Sequence, residues 1–299
     1  MPVMPIMAAR PLLRSALSLN FFTSGSSYLG NAYAPFSVTG DPNAEVFSVP
    51  NIGSIHNAGT VRLQNRVNLR RQLDRLSAKS DYLGKMNALD EFEQQAVNVL
   101  TGTSATRAFD VAREDAATRD RYGRNRWGQQ LLLARRLVES GVDLVTAQLG
   151  GDLCGGVGNW DDHAVNANCF EAIKYRLQFM DKAVAALIED IYERGLDQRV
   201  MVVVTGEFGR TPRVNSKGGR DHWARAMCAL MAGGDVRGGQ VIGETDATAA
   251  EPSSVAYTPD DLAASFFKNI GIPPDKEFQT NVGRPITLVR EGTSIRRLF

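Results

Sequence analysis

A long amphipathic segment between two short β-branched runs is the feature that most constrains the fold of this chain. The runs are VDLVTAQL at 142–149 and RVMVVVTG at 199–206. Between them, apolar residues from Phe170 to Ile191 recur at spacings of three and four, which predicts one helix with a single apolar face, closed by Gly195. Strand, helix and strand in this order predict parallel strands with a right-handed crossover, and hence an α/β core with helices on its faces.

Further segments extend this core on both sides. MCALMAGG at 227–234 predicts a third strand, and GGQVIGE at 238–244 a weaker fourth. TPDDLAASFFKNIGI at 258–272 predicts a helix, because it starts with a capping Thr and a Pro in the first turn. The upstream segment 61–140 is predicted to be mostly helical, with helices around 63–73, 86–100 and 127–138, the last ended by Gly141.

The N-terminal segment 1–60 predicts an arm and a long loop. Its first 22 residues are apolar, but prolines and two arginines interrupt them, which argues against a signal peptide. Gly, Ser, Asn and Pro then dominate as far as Thr60. The apolar start either packs within the domain or belongs to the middle of a longer chain. We therefore divide the sequence into 1–60, 61–140 and 141–299, the last two forming one composite domain.

Charge and cysteine content exclude several classes of protein. The 34 basic and 33 acidic residues leave a formal net charge of +1, which argues against a nucleic-acid binder. No apolar run approaches the roughly 20 residues of a membrane span. The three cysteines are irregularly spaced and are expected to be free thiols. The sequence leaves the oligomeric state and the compartment open.

Polar residues gather after the two predicted strands, where ligands bind in open α/β sheets. GGDLCGGVGNWDDH follows the first strand and GEFGRTPRVNSKGGRDHW follows the second. Asp161 and His163 are two residues apart, so in an extended segment both side chains point the same way and could hold one ion. Carboxylate with imidazole suits Zn or Mn better than Ca. The alternative is an Asp-rich turn with an exposed His.

The second loop adds carboxylates, a histidine and two arginines. Glu207 is either a ligand or general base, or a partner for Arg210. Of the adjacent Asp221 and His222, one could bind metal while the other orients a neighbour, unless they are a cap and a packed ring. Arg210 and Arg220 carry guanidinium groups that match phosphate or sulfate oxygens. With the His and carboxylate pairs, they predict a site for an anionic ester.

Three motifs resemble those of a bacterial family, the domain of unknown function 1501 family. They are WDDH at 160–163, GEFGRTP at 206–212 and GRDHW at 219–223. The phrases RWGQQLLLARRLVESGV and LMAGGDVRGGQVIGETD are similar as well, and the similarity runs from about Tyr28 onward. The family is grouped with the sulfatase and alkaline-phosphatase superfamily. The resemblance therefore implies an alkaline-phosphatase-like sheet core with flanking helices, and a metal-dependent activity without a known substrate.

The resemblance also implies roles for single residues. Asp161 and His163 resemble the Asp and His that hold one metal, and His222 resembles the last metal-binding His of the superfamily. Glu207 stands where the superfamily usually has Asp. Phe208 stands where the next metal-binding His would be, so we expect one metal site to be altered.

One part of the family pattern has no counterpart here. Family members begin with a strand that ends in a Gly-rich, Asp-containing motif, which leads to the nucleophile. We therefore expect this chain to start beyond that segment and to lack the nucleophile. An export signal, with a periplasmic or exported location, would belong to the same segment in a full-length relative.

Together these features predict a hydrolase of small phosphate or sulfate esters that is inactive as given if the nucleophile is missing. One or two divalent ions, Zn or Mn, would be held by Asp161, His163, Glu207, Asp221 and His222, and the anion by Arg210 and Arg220. The alternative is a relative that keeps the fold as a non-catalytic binding or scaffold module. A nucleotide-binding protein is disfavoured because no dinucleotide fingerprint follows a strand.

Overall fold

The computed structural model describes residues 4–9, 16–19, 35–49, 107–153, 156–157, 160–164, 168–280 and 283–299. The helices predicted around 63–73 and 86–100 lie outside these residues, as does Cys154. Cys169 and Cys228 are free, as predicted. None of the helices in the described ranges is both long and apolar enough to cross a membrane.

The described residues form a mixed α/β structure. The helices are α1 (Ala116–Tyr122), α2 (Arg126–Glu139), α3 (Cys169–Glu193) and α4 (Pro259–Asn269). The strands are β1 (Met4–Ala9), β2 (Ala16–Leu19), β3 (Phe36–Ser37), β4 (Leu144–Ala147), β5 (Asp152–Leu153), β6 (Gly156–Val157), β7 (Val200–Thr205), β8 (Gly209–Arg210), β9 (His222–Trp223), β10 (Ala229–Gly233), β11 (Glu277–Gln279) and β12 (Pro285–Thr287).

A six-stranded sheet with the order β10-β7-β1-β4-β2-β3 forms the centre of the described fold. The strands β4 and β7, which are joined through α3, point in the same direction, as predicted. They are not neighbours, however, because β1 pairs antiparallel with both of them. β10 is antiparallel to β7, and β2 is parallel to β4. The expectation of a parallel sheet is therefore correct only in part.

Two local expectations need correction. The predicted strand at 238–244 is wrong, since these residues form no strand and Gly239 and Gly243 adopt positive φ angles of 74° and 84°. The second correction concerns the predicted arm. Its apolar start contains strands, because it supplies β1 and β2 to the central sheet. Residues 4–9 and 16–19 therefore belong to the central sheet.

The helix ends follow the predicted local signals. At the end of α2, Gly141 has a φ of 101°, and the N–H groups of Gly141 and Val142 donate to the carbonyls of Val138 and Leu137. This is a Schellman motif, which needs a residue in the left-handed region. Thr258 and Asp261 form a reciprocal capping box at the start of α4.

The core lies between the sheet and the helices α2 and α3. The first five residues of β7 are buried, because the sheet is covered on both faces at this strand. Arg135 of α2 is also buried, and its guanidinium lies 3.0 Å from Glu114 and 2.9 Å from Asp190 of α3. Tyr122 of α1 donates to the same Asp190 carboxylate. This network joins the three helices through charged groups inside the protein.

Candidate metal centre

The two loops that follow β4 and β7 meet at one edge of the sheet. Because these strands point in the same direction, their carboxyl ends lie at the same edge. The first loop carries the segment 160–163. The second carries the short β8–β9 hairpin, in which Arg210 pairs with His222. The fold thereby brings together side chains that lie far apart in the sequence.

Asp161, His163 and His222 form a compact cluster at this edge. The Oδ1 atom of Asp161 lies 2.8 Å from Nδ1 of His163 and 2.8 Å from Nε2 of His222. The potential ligand atoms of the three residues all lie within 4.8 Å of one another. The structure therefore provides a possible three-residue metal-binding group.

The segment 160–163 alternates between the core and the cluster. Trp160 points inward, where its ring stacks on Trp127 at 5.6 Å and its Nε1 donates to the carbonyl of Leu149. Asp162 is mostly buried and forms an ion pair with Arg176 of α3. The intervening Asp161 and the following His163 form the cluster. The prediction that positions 161 and 163 reach one point is confirmed.

Two glycines of the second loop allow close contacts between backbones, Gly219 with the first loop and Gly209 within the second loop. A Cβ atom on Gly219 would overlap the backbone of His163, and one on Gly209 would overlap the carbonyl of Ala226. Beside Gly219, the N–H of Arg220 donates to the carbonyl of Asp162 at 2.8 Å. Gly209 of the GEFGR sequence and Gly219 of the GGRDH sequence thus serve packing between backbones.

Arg210 connects the cluster with both loops. Its Nη2 atom lies 2.8 Å from Oδ1 of Asp161 and 2.7 Å from the carbonyl oxygen of Trp160, and its Nη1 atom donates to the carbonyl of Arg220. Arg220 donates to the carbonyls of Thr211 and Pro212. Both arginines brace the loops, and their role in binding an anion stays a prediction.

The charge of Asp161 is stabilised by its neighbours. Partial burial raises the pKa of Asp161, but hydrogen bonds from His222 and Arg210, together with the charges of His163 and Arg210, lower it to about 2. Its carboxylate is therefore ionised at neutral pH, as a metal ligand must be.

The two other predicted ligands lie outside the three-residue cluster. Glu207 is exposed, two residues beyond the end of β7. The carboxylate of Asp221 accepts a hydrogen bond from Asn215 at 3.3 Å, and its main chain pairs with Thr211. Their roles as ligands, general base or orienting groups stay predictions.

Sequence analysis did not predict the contacts that three further residues make with the cluster and with the segment that carries it. The ring of Phe208 lies 4.3 Å from that of His222, so an apolar surface covers one side of this imidazole. Trp127 and Arg176 hold the segment 160–163 from inside. Arg176 could have been recognised from the sequence, because it is a charged residue next to Leu177 in the apolar stripe of α3.

Comparison with known proteins gives one family match. The family described as "Protein of unknown function (DUF1501)" matches residues 17–299. No curated protein and no solved structure gives a significant match. The family match covers all three loop motifs and both core helices, so the chain belongs to the DUF1501 family.

Proposed function

We propose that this protein binds a divalent metal ion through Asp161, His163 and His222 and hydrolyses phosphate or sulfate esters. An alkaline-phosphatase-like organisation of the core is part of this proposal. The observation that carries it is the convergence of one carboxylate and two imidazoles from two separate loops. Exposed ion pairs contribute only about 0–1 kcal/mol, so this group adds little to the stability of the fold.

The donor set fits a transition metal. One carboxylate oxygen and two imidazole nitrogens suit Zn²⁺ or Mn²⁺, whereas Ca²⁺ prefers oxygen ligands alone. Three protein ligands leave a coordination position for water or substrate. Asp161 and His222 are 40% and 47% exposed, so a small anion can reach the cluster from solvent.

The chain's own residues have distinct parts in this proposal. A bound ion would polarise an ester oxygen and lower the pKa of a bound water. Arg210 keeps a positive charge beside Asp161, within reach of an anion at the cluster. Phe208 excludes water from one side of His222. The nucleophile is not assigned.

A metal-binding module without hydrolysis is the second candidate. The contact between Phe208 and His222 favours it, because an apolar ring occupies space where a further ligand or a reactive group could stand. Both candidates share the metal, and only the first requires ester hydrolysis.

The test compares the protein with its Asp161→Asn and His222→Ala variants. We expect purified protein to hold Zn²⁺ or Mn²⁺ in elemental analysis and both variants to lose it, because each removes one of three ligands. Hydrolysis of aryl phosphate and aryl sulfate should accompany the metal and disappear with it. Asp181→Asn, which alters an exposed carboxylate on α3, is the matched control and should change neither.

Each outcome decides between the candidates. Metal-dependent hydrolysis supports the hydrolase, and stoichiometric metal without hydrolysis supports the binding module. Protein that takes up neither ion, with a melting temperature insensitive to chelators, contradicts both.

A further inference from the structure

We propose that the buried ion pair between Arg176 and Asp162 positions the metal ligands of the first loop. The inference rests on the proposed metal binding and adds two positioning residues to it. Neither residue belongs to the three-residue cluster. Both act through the segment that carries Asp161 and His163.

Arg176 holds this segment from the core side. The arginine lies in the N-terminal half of α3 and is fully buried. Its guanidinium contacts the carboxylate of Asp162 and lies 4.9 Å from the centre of the Trp160 ring. A buried guanidinium needs a partner, because an isolated charge inside a protein is strongly unfavourable. α3 thereby constrains positions 160 and 162 together.

The two constrained residues, Trp160 and Asp162, alternate along the chain with the proposed ligands Asp161 and His163. With Trp160 and Asp162 held against the core, Asp161 and His163 lie at the cluster on the other side of this segment. A rotation of this segment would move both ligands away from His222. The main-chain carbonyl of Asp162 also accepts a hydrogen bond from the N–H of Arg220, which lies two residues before His222. One residue therefore links the two loops that supply the ligands.

Groups that support metal ligands typically change metal affinity by about 10–100-fold when they are removed. The Arg176–Asp162 ion pair would change the metal affinity in this way without contacting the ion. Each single variant removes one charge of the ion pair and leaves the opposite charge in the protein. Single variants therefore lose stability as well. The experiment must therefore separate affinity from stability.

A double-variant comparison achieves this separation. Arg176→Met removes the positive charge that faces the Asp162 carboxylate, and Asp162→Asn removes the negative charge that faces the buried guanidinium, so both should melt at lower temperature in the presence of chelator. The combined variant removes both charges and should regain part of this loss. We expect its dissociation constant for Zn²⁺, measured by competition with a chromogenic chelator well below the melting temperature, to stay about 10–100-fold above that of the unchanged protein.

Arg135→Met provides the matched control. Arg135 is the other buried arginine among the described residues, and its ion-pair partners are Glu114, Glu139 and Asp190. This variant should also melt earlier, while its Zn²⁺ dissociation constant stays within about twofold of the unchanged protein, since it leaves the segment 160–163 in place.

The visible absorption of the Co²⁺-loaded protein reports ligand geometry directly. We expect the combined variant to show shifted and weaker bands, and Arg176→Lys, which keeps the charge but not the planar group over Trp160, to be intermediate. An unchanged Zn²⁺ dissociation constant and an unchanged Co²⁺ spectrum in the combined variant would overturn the positioning role alone. If the unchanged protein binds neither ion, the proposed function fails with it.

Discussion

Gly219 shows how a single residue determines whether the two loops can meet. Its backbone approaches His163 so closely that even a methyl group would overlap main-chain atoms. The overlap cannot be relieved by a side-chain rotation, because the obstructing atoms belong to the backbone. Gly238 lies in open space, with no atom within 4 Å of a Cβ built on it. The two glycines therefore form a matched pair.

We expect Gly219→Ala to lower the free energy of unfolding by about 1–3 kcal/mol, the usual effect of forced overpacking. It should also weaken Zn²⁺ binding, because His163 must move away from His222. Gly238→Ala should leave both quantities nearly unchanged. Urea denaturation and Zn²⁺ titration of both variants test this, and equal behaviour of the two would contradict the close approach.

At the scale of elements, α1, α2 and α3 are held together by the network around Arg135. Burial raises the pKa of Glu114, but hydrogen bonds and charges of Arg135 and Arg136 lower it further than burial raises it. Burial likewise raises the pKa of Asp190, and Arg194, Arg135 and Tyr122 lower it overall. Both carboxylates therefore bind protons less readily in the folded protein than in the unfolded chain.

The lowered pKa values fix the sign of a pH dependence. The stabilisation is fully present above the ordinary carboxyl pKa of about 4 and is lost as the pH falls through the lower folded values. We expect the free energy of unfolding to fall as the pH is lowered from about 5 to about 2. Asp190→Asn should cost about 3–5 kcal/mol near pH 7 and should reduce the steepness of this fall.

Urea denaturation across this pH range measures both effects. Asp181→Asn, on the exposed side of the same helix, should stay within about 0.5 kcal/mol of the unchanged protein. A pH dependence that persists undiminished in Asp190→Asn would show that other groups control acid stability.

At the scale of the whole molecule, the sheet depends on a strand from the start of the chain. β1 pairs with β7 on one side and with β4 on the other, so it completes the hydrogen bonding of both. The two strands that carry the site loops are therefore joined through β1. Their relative position, and with it the distance between the loops, depends on this strand.

Ile6→Pro tests this dependence, because Ile6 pairs with both Thr146 and Val203. Proline removes an N–H from a central strand, and the lost hydrogen bond alone is worth about 1 kcal/mol, to which the steric clash adds. We expect a lower melting temperature and weaker Zn²⁺ binding. Val255→Pro, in an exposed loop, should have little effect. Unchanged stability of the Ile6 variant would contradict the central position of β1.

The sequence predicted much of the candidate site, but it did not show which of the predicted ligands form the cluster. The two-residue spacing of Asp161 and His163 and the position of both loops after strands predicted a shared site, and three of the five predicted ligands form a cluster. Glu207 and Asp221 have the right chemistry and position in the sequence. Whether a carboxylate points toward the cluster, however, depends on turn geometry and on contacts such as that between Asn215 and Asp221.

Features that depend on neighbouring residues could be predicted from the sequence alone. The Schellman end of α2, the capping box of α4 and the strands β4 and β7 follow from local hydrogen bonding and from the distribution of apolar residues. The position of β1 between β4 and β7, and the contact of Arg176 with Asp162, are visible only in the folded protein. These arrangements join segments far apart in the chain, and the energy of such contacts depends on packing that no local pattern encodes.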